Sequence, residues 1–433
     1  MTDKKPADQS SRRSFVKNST AAVVGGALVA GVNVPSVHAQ GDDVIKVGLI
    51  GCGGRGSGAA TNAVNAGPNI KLTVMADAFK NALNTSRKNL AKGLGEKMQV
   101  SDDNCFVGFD AYRQVMNTDV DVVLLCTPPH FRPAQLRAAI DAGKHVFCEK
   151  PVAVDGPGLR SVLDTVKLAK QKNLTIVSGL CWRYDYGVRE TVKRIQAGAI
   201  GDIVNIQENY LTGTLWHRGR KANWSEMEYQ LRNWLYFTWL SGDHIVEQHV
   251  HSLDKALWLM GDVPPVRCVG LGGRQTRTER KWGNIFDHFS VCYEFPNGKK
   301  TFAYTRQMSN CTGDVDDYVY GTKGTARLLR FSIKGENPWR YPRKKARSRP
   351  SMYDVEHREL FAGMRAGKII NNGEYMTYST LMAIMGREAC YTGQTVTADD
   401  VMKSNVRLGP NKYEFGNIKT PKVAKPGLTK LFS

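Results

Sequence analysis

One stretch constrains this chain more than any other. It is Val44-Ile45-Lys46-Val47-Gly48-Leu49-Ile50-Gly51-Cys52-Gly53-Gly54-Arg55-Gly56, read together with Asp77. An apolar run, then G-x-G-x-x-G, then an acid about twenty residues on, matches a dinucleotide-binding βαβ unit. Gly51 suits the tight turn, Gly53 a close approach of backbone to a pyrophosphate, and Gly56 close packing of helix on strand. Gly54 and Arg55 fall at the helix N-terminus, where unpaired N–H groups and a partial positive charge favour phosphate. A helix-like stretch, 57–64, and a second strand, Ile70–Ala76, supply context that an ordinary Gly-rich turn lacks. Asp77 ends that strand. A carboxylate there accepts from ribose hydroxyls and repels a 2′-phosphate, so NAD is expected rather than NADP. Arg55 and Lys80 would soften that preference.

The first 39 residues carry an address. Ser11-Arg12-Arg13-Ser14-Phe15-Val16-Lys17 is a twin-arginine motif, followed by a mild apolar stretch, 21–34, and a small-residue site around Val37-His38-Ala39. Residues 1–39 therefore read as a twin-arginine signal peptide, the alternative being a disordered basic tail. The stretch is too short and too rich in Gly and Ala for a spanning helix. The expected location is the periplasm, the expected partner the twin-arginine export machinery, and no stable membrane insertion is expected. A periplasmic enzyme has no free nicotinamide pool, so its cofactor is expected to be held tightly and recycled in place.

Nine cysteines (Cys52, Cys105, Cys126, Cys148, Cys181, Cys268, Cys292, Cys311, Cys390) are scattered, odd in number and without C-x-x-C spacing. They form neither a disulfide framework nor a zinc pattern. Net charge is +20; setting aside the first 39 residues, with five basic and two acidic side chains, leaves +17. Such a field favours anionic substrates or surfaces. Its densest part, Arg340 to Arg349, is made loop-like by Pro342 and Pro350 and reads as a loop, either solvated or set against an acidic sugar or polyanion. Nucleic acid is not expected, because no recognised binding motif is present.

Residues 44–179 alternate short apolar strands with helical patterns, for example 133–142 and 158–170. Such alternation predicts a doubly wound parallel sheet of the Rossmann type, covered on both faces. From 180 to 398 the strands lengthen and alternate, with a hairpin at Asn297-Gly298 and two late helices, around 354–366 and 377–391. This predicts an α+β domain for substrate binding and oligomerisation, on an open, mostly antiparallel or mixed sheet. Residues 399–433 form a basic, Pro/Gly-punctuated tail, read as an arm over a neighbour.

Cys148-Glu149-Lys150-Pro151 ends a strand on the edge where ligands bind. Lys150 there either hydrogen-bonds a substrate hydroxyl or is a surface Lys in a turn. In Gly242 to Asp254, a continuous helix would put Glu247 and His251 on one face. A carboxylate beside an imidazole orients it, and such a pair can take a hydroxyl proton. His249 lies about 200° round from Glu247 by helical geometry, so it packs or caps. His244, Glu247, Gln248 and His251 fit neither zinc-helix spacing, so no metal is expected. Trp182-Arg183-Tyr184-Asp185 also reaches the crevice. Arg183 either binds substrate or cofactor, or makes an interdomain salt bridge. Trp182, Tyr184, Tyr210, Trp216, Trp224 and Trp234 are candidate sugar-stacking aromatics.

The Gly51–Gly56 turn, Cys126-Thr127-Pro128-Pro129-His130, Glu149-Lys150-Pro151, Gly242 through Asp254, and Gly386-Arg387-Glu388-Ala389 with Tyr391-Thr392-Gly393 occur in the expected order. In these the chain resembles the glucose–fructose oxidoreductase / inositol dehydrogenase / rhizopine-catabolism family. The resemblance implies a Rossmann domain followed by an α/β domain with an open sheet that often forms the oligomer interface, hence a homo-oligomer (dimer or tetramer). It implies that Lys150 and His251 contact the reacting hydroxyl. The expected cofactor contacts are then Cys126, Thr127, Pro128, His130, Glu149, Lys150 and Arg183, and the expected substrate contacts Lys150, Trp182, Arg183, Tyr210 and His251. Glu247 stands where many members have Asp, and His249 where many have Gly. The implied activity is hydride transfer to or from a ring carbon of a sugar, sugar derivative or cyclic polyol. Some relatives instead oxidise a sugar transiently, eliminate its glycosidic substituent and reduce the product. The Thr-His-Gly-Leu-Gly stretch of the N-acetylgalactosaminidases among them is absent, and Glu-Gln-His-Val-His stands in its place. A non-catalytic protein that kept the fold is disfavoured by Lys150, Glu247 and His251 together.

Overall fold

The computed structural model describes residues 43–432. The twin-arginine segment, 1–39, lies outside the described residues.

The first sheet has six parallel strands in the order β3-β2-β1-β4-β5-β6, with β1 Ile45–Ile50, β2 Ile70–Asp77, β3 Cys105–Val107, β4 Val122–Leu125, β5 His145–Cys148 and β6 Ile176–Ser178. Every residue of β4, β5 and β6 is buried, as expected of strands covered by helices on both faces. The order reverses between β1 and β4. At that switch point the loops after the two strands diverge and leave a crevice at the carboxyl ends.

The second sheet is mixed and has nine strands, ordered β14-β13-β12-β11-β7-β10-β9-β8-β15. Its centre is β7 Ile203–Thr212, parallel to β10 Lys300–Gln307 and antiparallel to β11 Asp314–Gly321. The remaining strands, β8 Arg267–Gly273, β9 His288–Glu294, β12 Gly324–Arg327, β13 Ser332–Gly335, β14 Trp339–Arg340 and β15 Val396–Thr397, pair antiparallel. Burial alternates strictly along β9, so one face meets the helices and the other is open. The helices Val250–Leu259 and Gly373–Thr392 cover the closed face.

Two local expectations are corrected. The basic 340–349 segment is not a plain loop, because residues Arg343–Ser348 form a short helix with no buried side chain. Pro342 sits at its N-cap, where a missing N–H costs nothing. The Gly242–Asp254 stretch is not one continuous helix. It divides into His244–Glu247 and Val250–Leu259, because the N–H groups of both Gln248 and His249 bond the His244 carbonyl (2.9 and 3.1 Å). The tail, with a helix at Ala398–Lys403, continues over its own chain: Leu408 N–H donates to Asp155 (2.9 Å) and Met227 N–H to the Gly416 carbonyl (3.0 Å).

Candidate active site

The loop after β1 is shaped by its glycines. Gly51 has φ +97°, and a Cβ there would lie 2.7 Å from the Cys126 backbone. A Cβ on Gly56 would overlap the Gly51 carbonyl oxygen, so the 54–64 helix packs on the strand only with glycine at that position. Gly53 and Gly54 differ, since a Cβ on either would meet nothing within 4 Å. Their backbone faces a cavity of about 490 Å³. The helix beginning at Gly54 has no side-chain cap and no acid in its first turn, so its leading N–H groups are available to an anion. Cys126, Thr127 and Pro128, after β4, form the cavity's other lip. These residues fit a dinucleotide's pyrophosphate.

Asp77 lines the same cavity. Its carboxylate accepts from Cys52 N–H (2.7 Å) and Phe79 N–H (2.8 Å), which ties the end of β2 to the glycine loop. Burial raises its pKa, and the two N–H bonds pull it back.

On the same sheet edge, after β5, lies Lys150. Its Nζ donates to the Glu247 carbonyl oxygen (2.6 Å) and to Glu247 Oε1 (3.0 Å). The break in the 244–259 segment creates this partner: His251 N–H bonds Gln248 (3.2 Å), which leaves the Glu247 carbonyl to Lys150. The expected pairing of Glu247 with His251 is therefore replaced by a pairing of Glu247 with Lys150. His251 nonetheless belongs to the cluster. Burial, then the charges of Lys150 and Lys255, hold its imidazole well below the usual histidine range and so neutral. Tyr210, on β7, has its ring 6.0 Å from that of His249 and its hydroxyl pushed up to about 12 by burial and by Glu247. Among the described residues no group of three or more His, Cys, Asp or Glu is placed to hold a metal ion.

Four expected contacts fall elsewhere. Arg183 is buried, with Asp254 at 2.8 Å, Asp262 at 2.6 Å and the Tyr375 ring at 3.8 Å. It makes salt bridges, but to acids of its own domain, 180–398, rather than between domains. His130 is enclosed by Phe131, Trp239 and Tyr413, its Nε2 2.7 Å from the Tyr413 hydroxyl. Arg55 turns from the cavity to Glu149 (2.8 Å) and over the Tyr353 ring (4.7 Å). Glu149 also accepts from Lys150 N–H (3.2 Å), so the pair buttresses the Lys150 backbone. Trp182 packs beneath Lys255 (5.2 Å).

Other residues were not foreseen. Along with Trp234, a candidate stacking aromatic, the dinucleotide cavity is lined by Arg218 and Arg232 from the second half of the chain. Spacing gave no sign of them, because they reach the cavity through tertiary packing. A buried trio also lies behind the site: Lys255 contacts Asp317 at 2.6 Å, and Asp317 stands opposite Glu208 across β7 and β11.

The comparisons agree with this geometry. Residues 45–180 match the family described as oxidoreductase family, NAD-binding Rossmann fold, and residues 188–327 match the GFO/IDH/MocA C-terminal domain. The chain is 25% identical over 280 residues to inositol 2-dehydrogenase of Rhizobium meliloti, covering 65% of this chain and 74% of that protein. It is 27% identical over 342 residues to a glycosyl hydrolase family 109 protein of Shewanella amazonensis, covering 75% and 67%. Its fold is that of scyllo-inositol dehydrogenase from Lactobacillus casei, with a TM-score of 0.63 at 19% identity, over 82% of this chain and 100% of that one. A glycine loop open to its cavity, an acid closing β2, and matches that run in order through both sheets have one common source: the chain belongs to the GFO/IDH/MocA family of oxidoreductases, with an NAD-binding Rossmann domain at its front.

Proposed function

We propose that this protein oxidises or reduces a hydroxyl-bearing ring carbon of a sugar, sugar derivative or cyclic polyol, using Lys150, Glu247 and His251. The observation that carries the reading is the meeting of Lys150 Nζ, after β5 on the sheet edge that also bears the Gly51–Gly54 loop and Asp77, with Glu247 (2.6 and 3.0 Å), four residues before His251. Bound NAD supplies two-electron redox chemistry at that carbon. Gly53, Gly54, Asp77 and Thr127, which line the cavity, would hold it. Lys150 donates a hydrogen bond to the hydroxyl oxygen and fixes its position. Glu247 holds the ammonium through its carboxylate and its carbonyl. His251, neutral because of burial and the charges of Lys150 and Lys255, takes the hydroxyl proton in the oxidative direction and returns it in the reverse. Similarity to an inositol 2-dehydrogenase supports a ring alcohol as substrate.

A second reading is supported by the similarity to a glycosyl hydrolase family 109 protein. In it the same residues act on a glycoside, which is oxidised transiently, loses its substituent by elimination and is reduced again. A chromogenic glycoside cleaved without added NAD would favour it.

The twin-arginine motif supports export to the periplasm with NAD already bound. The open face of the second sheet exposes Val269, Leu271, Tyr304 and Tyr320, which supports a homo-oligomer built on that face. Among the described residues no helix is long and apolar enough to cross a membrane. The experiment is to purify the protein from the periplasm of a twin-arginine-competent host, denature it and identify the released nucleotide. Stoichiometric NAD(H) is expected. A protein retained in the cytoplasm would refute the export, and one purified without nucleotide would refute the resident cofactor.

A further inference from the structure

The dinucleotide cavity has two walls, and only one belongs to the Rossmann domain. The other carries Arg232, at the end of the helix Glu226–Arg232. Its guanidinium lies 4.0 Å from the centre of the Phe79 ring and 4.9 Å from that of Trp224, sandwiched between them. It also donates to Asn81 Oδ1 (3.2 Å) across the mouth, and to Glu228 Oε1 (2.8 Å) on its own helix. Phe79 follows Asp77 by two residues, so this bridge closes over the end of the cavity where the adenosine ribose binds.

The C-terminal arm braces the bridge from outside. Phe415 packs on Phe79 (5.6 Å) and Phe109 (5.1 Å), both of which line the cavity. Tyr413 hydrogen-bonds His130 (2.7 Å) and receives a bond from Arg407 (2.9 Å). Gly416 and Thr420 bond Met227 and Gln230 of the Arg232 helix (3.0 and 3.1 Å). The arm thus joins the aromatic floor of the Rossmann side to the helix that carries the second wall.

We propose that Arg232, held between Phe79 and Trp224 and braced by Phe415, is a cofactor-retaining residue that encloses the adenosine end of NAD. Release of the nucleotide requires this bridge to open. Association is affected less, because the bridge is made of side chains that close after the nucleotide has entered. The inference rests on NAD occupying this cavity.

The test follows NADH fluorescence in the full-length protein after chase with excess NAD. Release is expected to be about tenfold faster in Arg232→Gln, which removes the charge and the stacked plane. Phe415→Leu, which keeps an apolar group and leaves Arg232 intact, is expected to accelerate release by a smaller factor. Lys344→Met, exposed on the helix Arg343–Ser348 and outside the cavity lining, is expected to release at the unaltered rate. Unaltered release from both Arg232→Gln and Phe415→Leu would overturn the proposal. An unaltered protein that binds no NADH would overturn the cofactor assignment beneath it.

Discussion

Lys150 reaches Glu247 twice, at the backbone carbonyl (2.6 Å) and at the carboxylate (3.0 Å). Both side chains are about one-eighth exposed, so the pair is only partly screened by water. The carbonyl is free because the helix breaks at Gln248 and His249. Glu247→Gln keeps the carbonyl bond and removes the counter-charge. Turnover should fall by roughly tenfold, with the protein still folded and still binding NAD. Steady-state kinetics with any active polyol checks this, and an unchanged kcat would remove Glu247 from the mechanism.

His251 gives the pH dependence its sign. Burial is the largest cause of its lowered pKa, followed by the charges of Lys150 and Lys255. The neutral base therefore persists as pH falls through 6.5, the ordinary histidine value, and oxidation is lost only below it. Lys150→Met removes one of the two charges, so the imidazole should titrate at higher pH in that variant. NMR titration of His251 reads this without turnover. A midpoint at or above the ordinary value in the unaltered protein, or a downward shift in the variant, would contradict it.

Asp77 serves both the loop and the cofactor. Asp77→Ser removes the charge that repels a 2′-phosphate, and the NAD-over-NADP preference should fall by about 10- to 100-fold. Loss of the Cys52 bond should also weaken NAD itself. Titration with both reduced nucleotides measures the ratio, and an unchanged ratio would show that Asp77 does not set it.

Arg183→Ala separates structure from site. It leaves Asp254, fully buried, facing Asp262 without a counter-charge. Breaking such a buried pair costs about 3–5 kcal/mol, so unfolding should come at markedly lower denaturant. The affinity of the folded variant for NADH should match that of the unaltered protein. A variant of normal stability and weak NADH binding would return Arg183 to the cofactor.

Much of this was legible in the residues. The glycine loop, Asp77 and the alternation of strands with helices are local patterns, and each maps onto β1, β2 and the crevice. The partners of Lys150 and Arg183 were not legible, because they depend on where a helix breaks and on which acids tertiary packing brings near. The i,i+4 spacing of Glu247 and His251 misled for that reason. The strand Asp314–Gly321 was not legible, because it buries two acids, Asp316 and Asp317, where a strand pattern calls for apolar residues. Arg232 reaches the cofactor cavity, and Phe415 the outer side of its aromatic wall, from distant parts of the chain, and nothing in their own neighbourhoods marks them.

The central claim is that Lys150 and His251 serve redox chemistry on a ring alcohol with NAD. The most direct measurement is single-turnover absorbance of the nicotinamide after mixing NAD-loaded protein with a panel of cyclic polyols, sugars and glycosides. The account predicts reduction by at least one ring alcohol in the unaltered protein. In Lys150→Met it predicts a rate lower by roughly a hundredfold or more, with NAD still bound. Equal rates in the two proteins, or no reduction by any member of the panel despite bound NAD, would contradict it.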